Sequence, residues 1–305
     1  SLVGSEMCIR DSVGITQTKI LTINSVVMLL SNVVLNYCLI FGKGGFPVMG
    51  IAGAAIASSV SEAVSLLFFI IYTGTTADKR KYGFRRAFTF RPHLLKGMLS
   101  ISGWTMVQSF ISVSIWFIFF LAIEHLGERP LAVTNIVRNI SALLIMVISA
   151  FATTAGALIS NQIGAGEQRY LFRTCGMTLN LTYAILVPLL VILCLFPEPV
   201  LRVFTDNPSL IAASINSVYV MSTSTLIMAP AFILFNAVSG TGNTKAGFIM
   251  EMISLTVYTA AVYYIVIRLK PDVALCWFSE HVYGIALIAL AWWYLKSGKW
   301  RGKKV

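Results

Sequence analysis

Residues 176–196 read GMTLNLTYAILVPLLVILCLF, twenty-one residues with no charged side chain. Coiled into a helix at about 1.5 Å per residue, that stretch is about 31 Å long, matching the hydrocarbon thickness of a bilayer. Seven further stretches share its character, at roughly 18–41, 50–73, 97–122, 130–156, 210–237, 246–268 and 273–295. Water penalises so much exposed apolar surface, and hydrocarbon offers no partner to an unpaired backbone N–H or C=O. None of the eight shows the ten-residue alternation of a membrane-barrel strand, so helices are the remaining solution. The sequence therefore predicts an all-α integral membrane protein with about eight transmembrane helices. Composition agrees: of 305 residues 57% are hydrophobic and 11% charged, with a mean hydropathy of +0.81, where soluble chains carry about one quarter charged residues.

A formal net charge of +11 raises the question of nucleic acid, which the placement of the basic residues answers. With every even-numbered span ending in the cytoplasm, 16 Lys and Arg fall on that side, most densely between Lys79 and Lys96. Five fall on the other: Lys43, Arg129, Arg202, Arg268 and Lys270. That asymmetry is the positive-inside pattern, so the charge is a topology signal, with lipid headgroups as a secondary partner and no nucleic acid expected. Trp292, Trp293 and Tyr294 at one end of the last span and Trp277 near the other fit interfacial aromatic belts. Five scattered cysteines without a CxxC pair, and no histidine at ligand spacing, predict neither a disulfide framework nor a metal site.

Residues 1–12 have neither helical periodicity nor a signal-peptide layout, and Glu6 to Asp11 resemble the translation of a sequencing-adapter end. They are expected not to belong to the natural protein. An internal repeat is legible beyond them: GITQTK at 14–19 opens the first span, and GTGNTK at 240–245 opens the seventh. If spans one and two correspond to spans seven and eight, the repeat unit holds six helices, as in transporters built from parallel repeats. Residues 13–74 then form the last two helices of an N-terminal lobe that lacks four, and 75–96 a basic cytoplasmic loop between lobes. Residues 97–305 form a complete six-helix C-terminal lobe with a basic tail.

Four stretches carry a resemblance to a known family: LNYCLIFGKGGFPVMGIAGAAIAS at 35–58, AIEHLGERPLAVTNIVRNIS at 122–141, ALISNQIGAGE at 157–167 and NAVSGTGNTK at 236–245. In order and spacing the chain resembles the multidrug and toxic compound extrusion (MATE) family, in a form similar to the branch common in Bacteroidetes. The resemblance implies a twelve-helix, two-lobe transporter of the bacterial inner membrane with a central cavity and alternating access. It implies export of small organic, often cationic, compounds in exchange for protons or sodium, with no enzymatic activity and no cofactor beyond the coupling ion. The missing N-terminal helices of the same protein would then be a necessary partner. A lipid-linked oligosaccharide flippase of the same superfamily is the alternative, and it calls for a strongly basic cavity. A membrane-embedded enzyme needs an interfacial cluster, and His93, His125 and His281 lie in different layers.

A charged side chain at mid-membrane costs about 2.5–3.5 kcal/mol on insertion scales, so each one needs a reason. Glu62, Glu124, Arg138, Glu251 and Glu280 are the cases here. Glu251 shares a helical stripe with Ser254 and Tyr258. A carboxyl held out of water and reached alternately from either side exchanges a proton or sodium ion, and Glu251 and Glu280 are the candidates for that role. Arg138 is expected to neutralise Glu124 or Glu280, and Glu62 to serve packing. The resemblance implies coupling carboxylates either in an early helix absent here or in the first helix of the second lobe. That helix offers Gln108 in place of an acid, with Glu124 at its far end. Asn24, Asn32, Asn36, Gln108, Asn135 and Asn139 are candidates to line a solute path or to bond between helices. The glycines of 164–166 and 240–242 follow no strand and are read as helix-ending turns, not as phosphate loops.

Overall fold

The computed structural model describes residues 18–76, 92–269, 272–298 and 300. The adapter-like leader and most of the basic loop, residues 77–91, lie outside them. Every element among the described residues is helical: α1 (Thr18–Phe41), α2 (Gly50–Thr76), α3 (Pro92–Glu124), α4 (Glu128–Gly164), a 3-10 turn (Gln168–Tyr170), α5 (Leu171–Leu195), the short α6 (Pro197–Arg202), α7 (Pro208–Gly240), α8 (Thr244–Val262) continued by a π-helical segment (Tyr263–Leu269), the short α9 (Val273–Cys276) and α10 (Phe278–Ser297). Among the described residues eight helices are long and apolar enough to cross a membrane, and their bounds follow the eight predicted stretches. The third begins at Pro92, five residues earlier than expected. Proline lacks the N–H that a first helical turn leaves unbonded, which suits it to that position.

The chain divides into two compact units, residues 1–91 and 92–305. In the first, α1 and α2 form an antiparallel pair. Gly42, Gly44 and Gly45 take positive φ in the turn, and a Cβ on Gly53 would stand 2.7 Å from the Leu39 carbonyl oxygen, so the two backbones touch. A buried amide bridges the pair, Asn24 Nδ2 donating to Ser65 Oγ at 2.8 Å, while Asn36 Nδ2 donates within α1 to Asn32 Oδ1 at 2.8 Å.

In the second unit α7 is central, with 56% of its span buried against 17% for α3. Of its buried hydroxyls all but that of Ser217 are satisfied within the helix, as where Ser222 donates to Val218 O and Thr225 to Met221 O. This is how small polar residues enter an apolar bundle at low cost. Across α7 lies α4. Ala152, Ala155 and Ala237 are fully buried there, and a Cβ on Gly240 would meet the Gly156 carbonyl oxygen at 2.5 Å. Such contact is available only to residues without side-chain bulk. Pro230, inside α7, removes the N–H that would bond the carbonyl four residues earlier. That carbonyl, on Leu226, instead accepts from the Tyr183 hydroxyl of α5 at 2.8 Å. Gly166 and Gly242 adopt positive φ just past the ends of α4 and α7, as the reading of helix-ending turns requires. Asn243 then caps α8, accepting from Ala246 N, and donates to Tyr294 Oη at 2.6 Å, tying that turn to the end of α10.

Candidate functional site

Three helices of the second unit, α3, α8 and α10, bring a polar group together inside the span. On α8 the spacing of Glu251, Ser254 and Tyr258 places all three on one buried face. On α10 Glu280 and Tyr283 stand three residues apart and share a side. Glu251 is only 4% exposed. Its Oε1 accepts from Ser112 Oγ of α3 at 3.0 Å and from Tyr283 Oη of α10 at 2.9 Å. Its Oε2 is buried without a partner, as is the hydroxyl of Ser254 one turn away. Glu280, half-buried, accepts from Tyr258 Oη at 3.0 Å through its own Oε1. The two tyrosine rings meet edge to face at 5.8 Å, joining the two carboxylates into one unit.

Among the described residues no Lys or Arg neutralises either acid. Among the described residues the only ion pair is Arg202 with Glu198, at 2.8 Å on the exposed α6. Two carboxylates are held here by neutral hydroxyl donors, with one buried oxygen left over, an arrangement whose chemistry suits a small cation. A proton satisfies the bare oxygen directly, and a sodium ion does so through coordination by oxygens, the ligands that hard cations prefer. No group of three or more His, Cys, Asp or Glu side chains suited to a metal ion occurs among the described residues.

The structure places the other sequence candidates of the second unit apart from this cluster or at its margin. Gln108 is half-buried on α3, and its backbone carbonyl lies 2.9 Å from Ser112 Oγ, so it competes with Glu251 for the single proton of that hydroxyl. Glu124 is exposed at the end of α3. Glu62 is half-buried on α2 in the first unit. Asn135 is half-buried on α4, one turn before Arg138. Arg138 departs from expectation: it pairs with neither Glu124 nor Glu280. Its guanidinium carbon lies 5.2 Å from the Phe120 ring centre and 6.0 Å from that of Trp116, both on α3. The α3 helix turns its aromatic side, not its terminal acid, toward Arg138.

Tyr283 and the aromatic contacts of Arg138 escape sequence reasoning. Tyr283 had a faint signal in its spacing from Glu280. Its actual acceptor, Glu251, lies 32 positions away on another helix, and that contact depends on how α8 and α10 are rotated.

A family model described as MatE matches residues 105–265, more than half of the chain. The chain is 26% identical over 286 residues to a probable multidrug resistance protein NorM of Thermotoga maritima, an alignment covering 90% of this chain and 59% of that protein. It is 25% identical to the transporter YisQ of Bacillus subtilis, over 84% of this chain and 55% of that protein. It thus spans somewhat over half the length of these relatives. Among solved structures, the fold is similar to an outward-facing multidrug resistance MATE family transporter of the MOP superfamily, with a TM-score of 0.78, 17% identity, and 90% and 61% of the two chains covered. A MOP superfamily transporter from Pyrococcus furiosus superposes with a TM-score of 0.79 at 18% identity, covering 92% and 63%. Eight apolar spans and bacterial relatives of these kinds make this a multi-pass protein of the bacterial inner membrane. With the family model, the relatives and the helical architecture in agreement, the chain belongs to the MatE family.

Proposed function

We propose that the protein is a secondary active exporter of small organic, often cationic, solutes, moving them by alternating access in exchange for protons or sodium. The observation that carries this reading is the pair of intramembrane carboxylates, Glu251 and Glu280, each held by a tyrosine hydroxyl and neither paired with a basic side chain. A permanently neutralised acid would be structural. An acid bonded only to neutral donors has a proton or sodium ion to gain and to lose, and an outward-directed solute coupled to that exchange is driven by the cation gradient. The working transporter is read as two six-helix lobes, of which this chain contributes the eight described spans.

The test is export of a fluorescent organic cation from proteoliposomes holding the full-length protein, with a proton or a sodium gradient imposed separately. Movement that follows one gradient and is lost on Glu251→Gln or Glu280→Gln is the expected result. Movement indifferent to both gradients, or unchanged in both variants, overturns the reading.

A further inference from the structure

Arg138 stands in the interior of the long apolar helix α4, ten residues beyond its first residue Glu128, hence about 15 Å along the axis. A guanidinium carries five N–H donors. Among the described residues none of them meets an acceptor or an acid, and Nε is buried without a partner. What holds the group is aromatic: Phe120 and Trp116, themselves packed edge to face at 4.9 Å. Phe120 continues through Phe119 at 5.7 Å, and Phe119 through Tyr258 at 6.5 Å, so the aromatic wall runs from Arg138 to the tyrosine on Glu280. Trp116 is 41% exposed and Arg138 half-buried, so both offer surface to a visiting molecule.

Ring faces attract a cation without using its N–H groups. The fork that matches a carboxylate in two parallel hydrogen bonds is therefore left free. A guanidinium kept in low dielectric without a counterion is costly, and that cost is offset when a ligand supplies the anion.

We infer that Arg138, Trp116 and Phe120 form a subsite for the carboxylate of an aromatic solute, with the ring of the solute laid against Trp116. This rests on the reading of the protein as an exporter of organic solutes and narrows it: a carboxylate-bearing aromatic compound, anionic or zwitterionic, is held here while the carboxylate pair on α8 and α10 handles the cation. A snorkelling arginine with a packing role only would give no such preference.

The test is calorimetric titration of the purified full chain in detergent with 2-naphthoate and with its methyl ester, which keeps the ring and removes the charge. Wild type is expected to bind the acid about tenfold tighter than the ester, the equivalent of about 1.4 kcal/mol. Arg138→Gln should abolish that preference by weakening the acid far more than the ester, and a melting transition like that of wild type in the same detergent reports that the variant is folded. Should Arg138→Gln not fold, Arg138→Lys keeps the charge without the planar fork and is expected to reduce the preference severalfold. Equal affinity for acid and ester in wild type, binding of neither, or a preference that survives the substitution overturns the proposal. Glu251→Gln is expected to leave this binding untouched while stopping cation-driven export, so the two readings fail separately.

Discussion

The two oxygens of Glu251 differ: one accepts from Ser112 and Tyr283, the other has no partner. Glu251→Gln preserves an oxygen for both donors but cannot exchange a cation. Folded protein should be recovered while gradient-driven export in proteoliposomes falls about tenfold or more, a loss of at least about 1.4 kcal/mol. Tyr283→Phe removes one donor only. A hydrogen bond to an ionised group contributes about 1.5–3 kcal/mol, so this variant should require a steeper cation gradient for half-maximal export and keep some activity. Glu124→Gln, at an exposed position, should export like wild type in the same assay. At this scale the sequence was informative about cost and silent about partners. Glu251 and Glu280 stood out because lipid makes every charge conspicuous. Arg138 looked like a counterion for a nearby acid because depth can be counted along a helix, whereas rotation about its axis, which turned Trp116 and Phe120 toward it, cannot.

Among the elements, α7 carries the bundle, and its weak point is Pro230. Because the Leu226 carbonyl depends on Tyr183, Tyr183→Phe should destabilise the second unit by about 1 kcal/mol or somewhat more, the cost of a backbone acceptor left unsatisfied within the span, where no water replaces the lost donor. The loss is measurable as a lower midpoint of thermal unfolding in detergent. In a Pro230→Ala background residue 230 regains an N–H for that carbonyl, so Tyr183→Phe should cost less there, a coupling that a double-mutant cycle isolates. Where α7 crosses α4, Gly240→Ala must push a Cβ against backbone, and an overpacking loss of about 1–3 kcal/mol is expected in the same measurement. All eight spans were legible because their length and apolarity answer to bilayer thickness alone. Pairings such as α4 with α7 were not, since spans separated in sequence find each other through shape, and a glycine read singly does not disclose which carbonyl it admits.

For the molecule as a whole, the charge asymmetry fixes an orientation that labelling can check. With the native cysteines replaced, a cysteine at Asn207 should react with an impermeant maleimide added outside intact cells, and one at Ala165 only after the cells are opened. The reverse pattern would invert the topology. The α4–α7 contact also bears on how the protein is made. Gly156 leaves the ribosome 84 residues before Gly240, an interval of about 4–17 s at about 5–20 residues per second. Throughout it the small-residue side of α4 is matched by a surface not yet synthesised, so nascent chains ending before residue 208 should be the ones most dependent on the insertion machinery and most readily degraded.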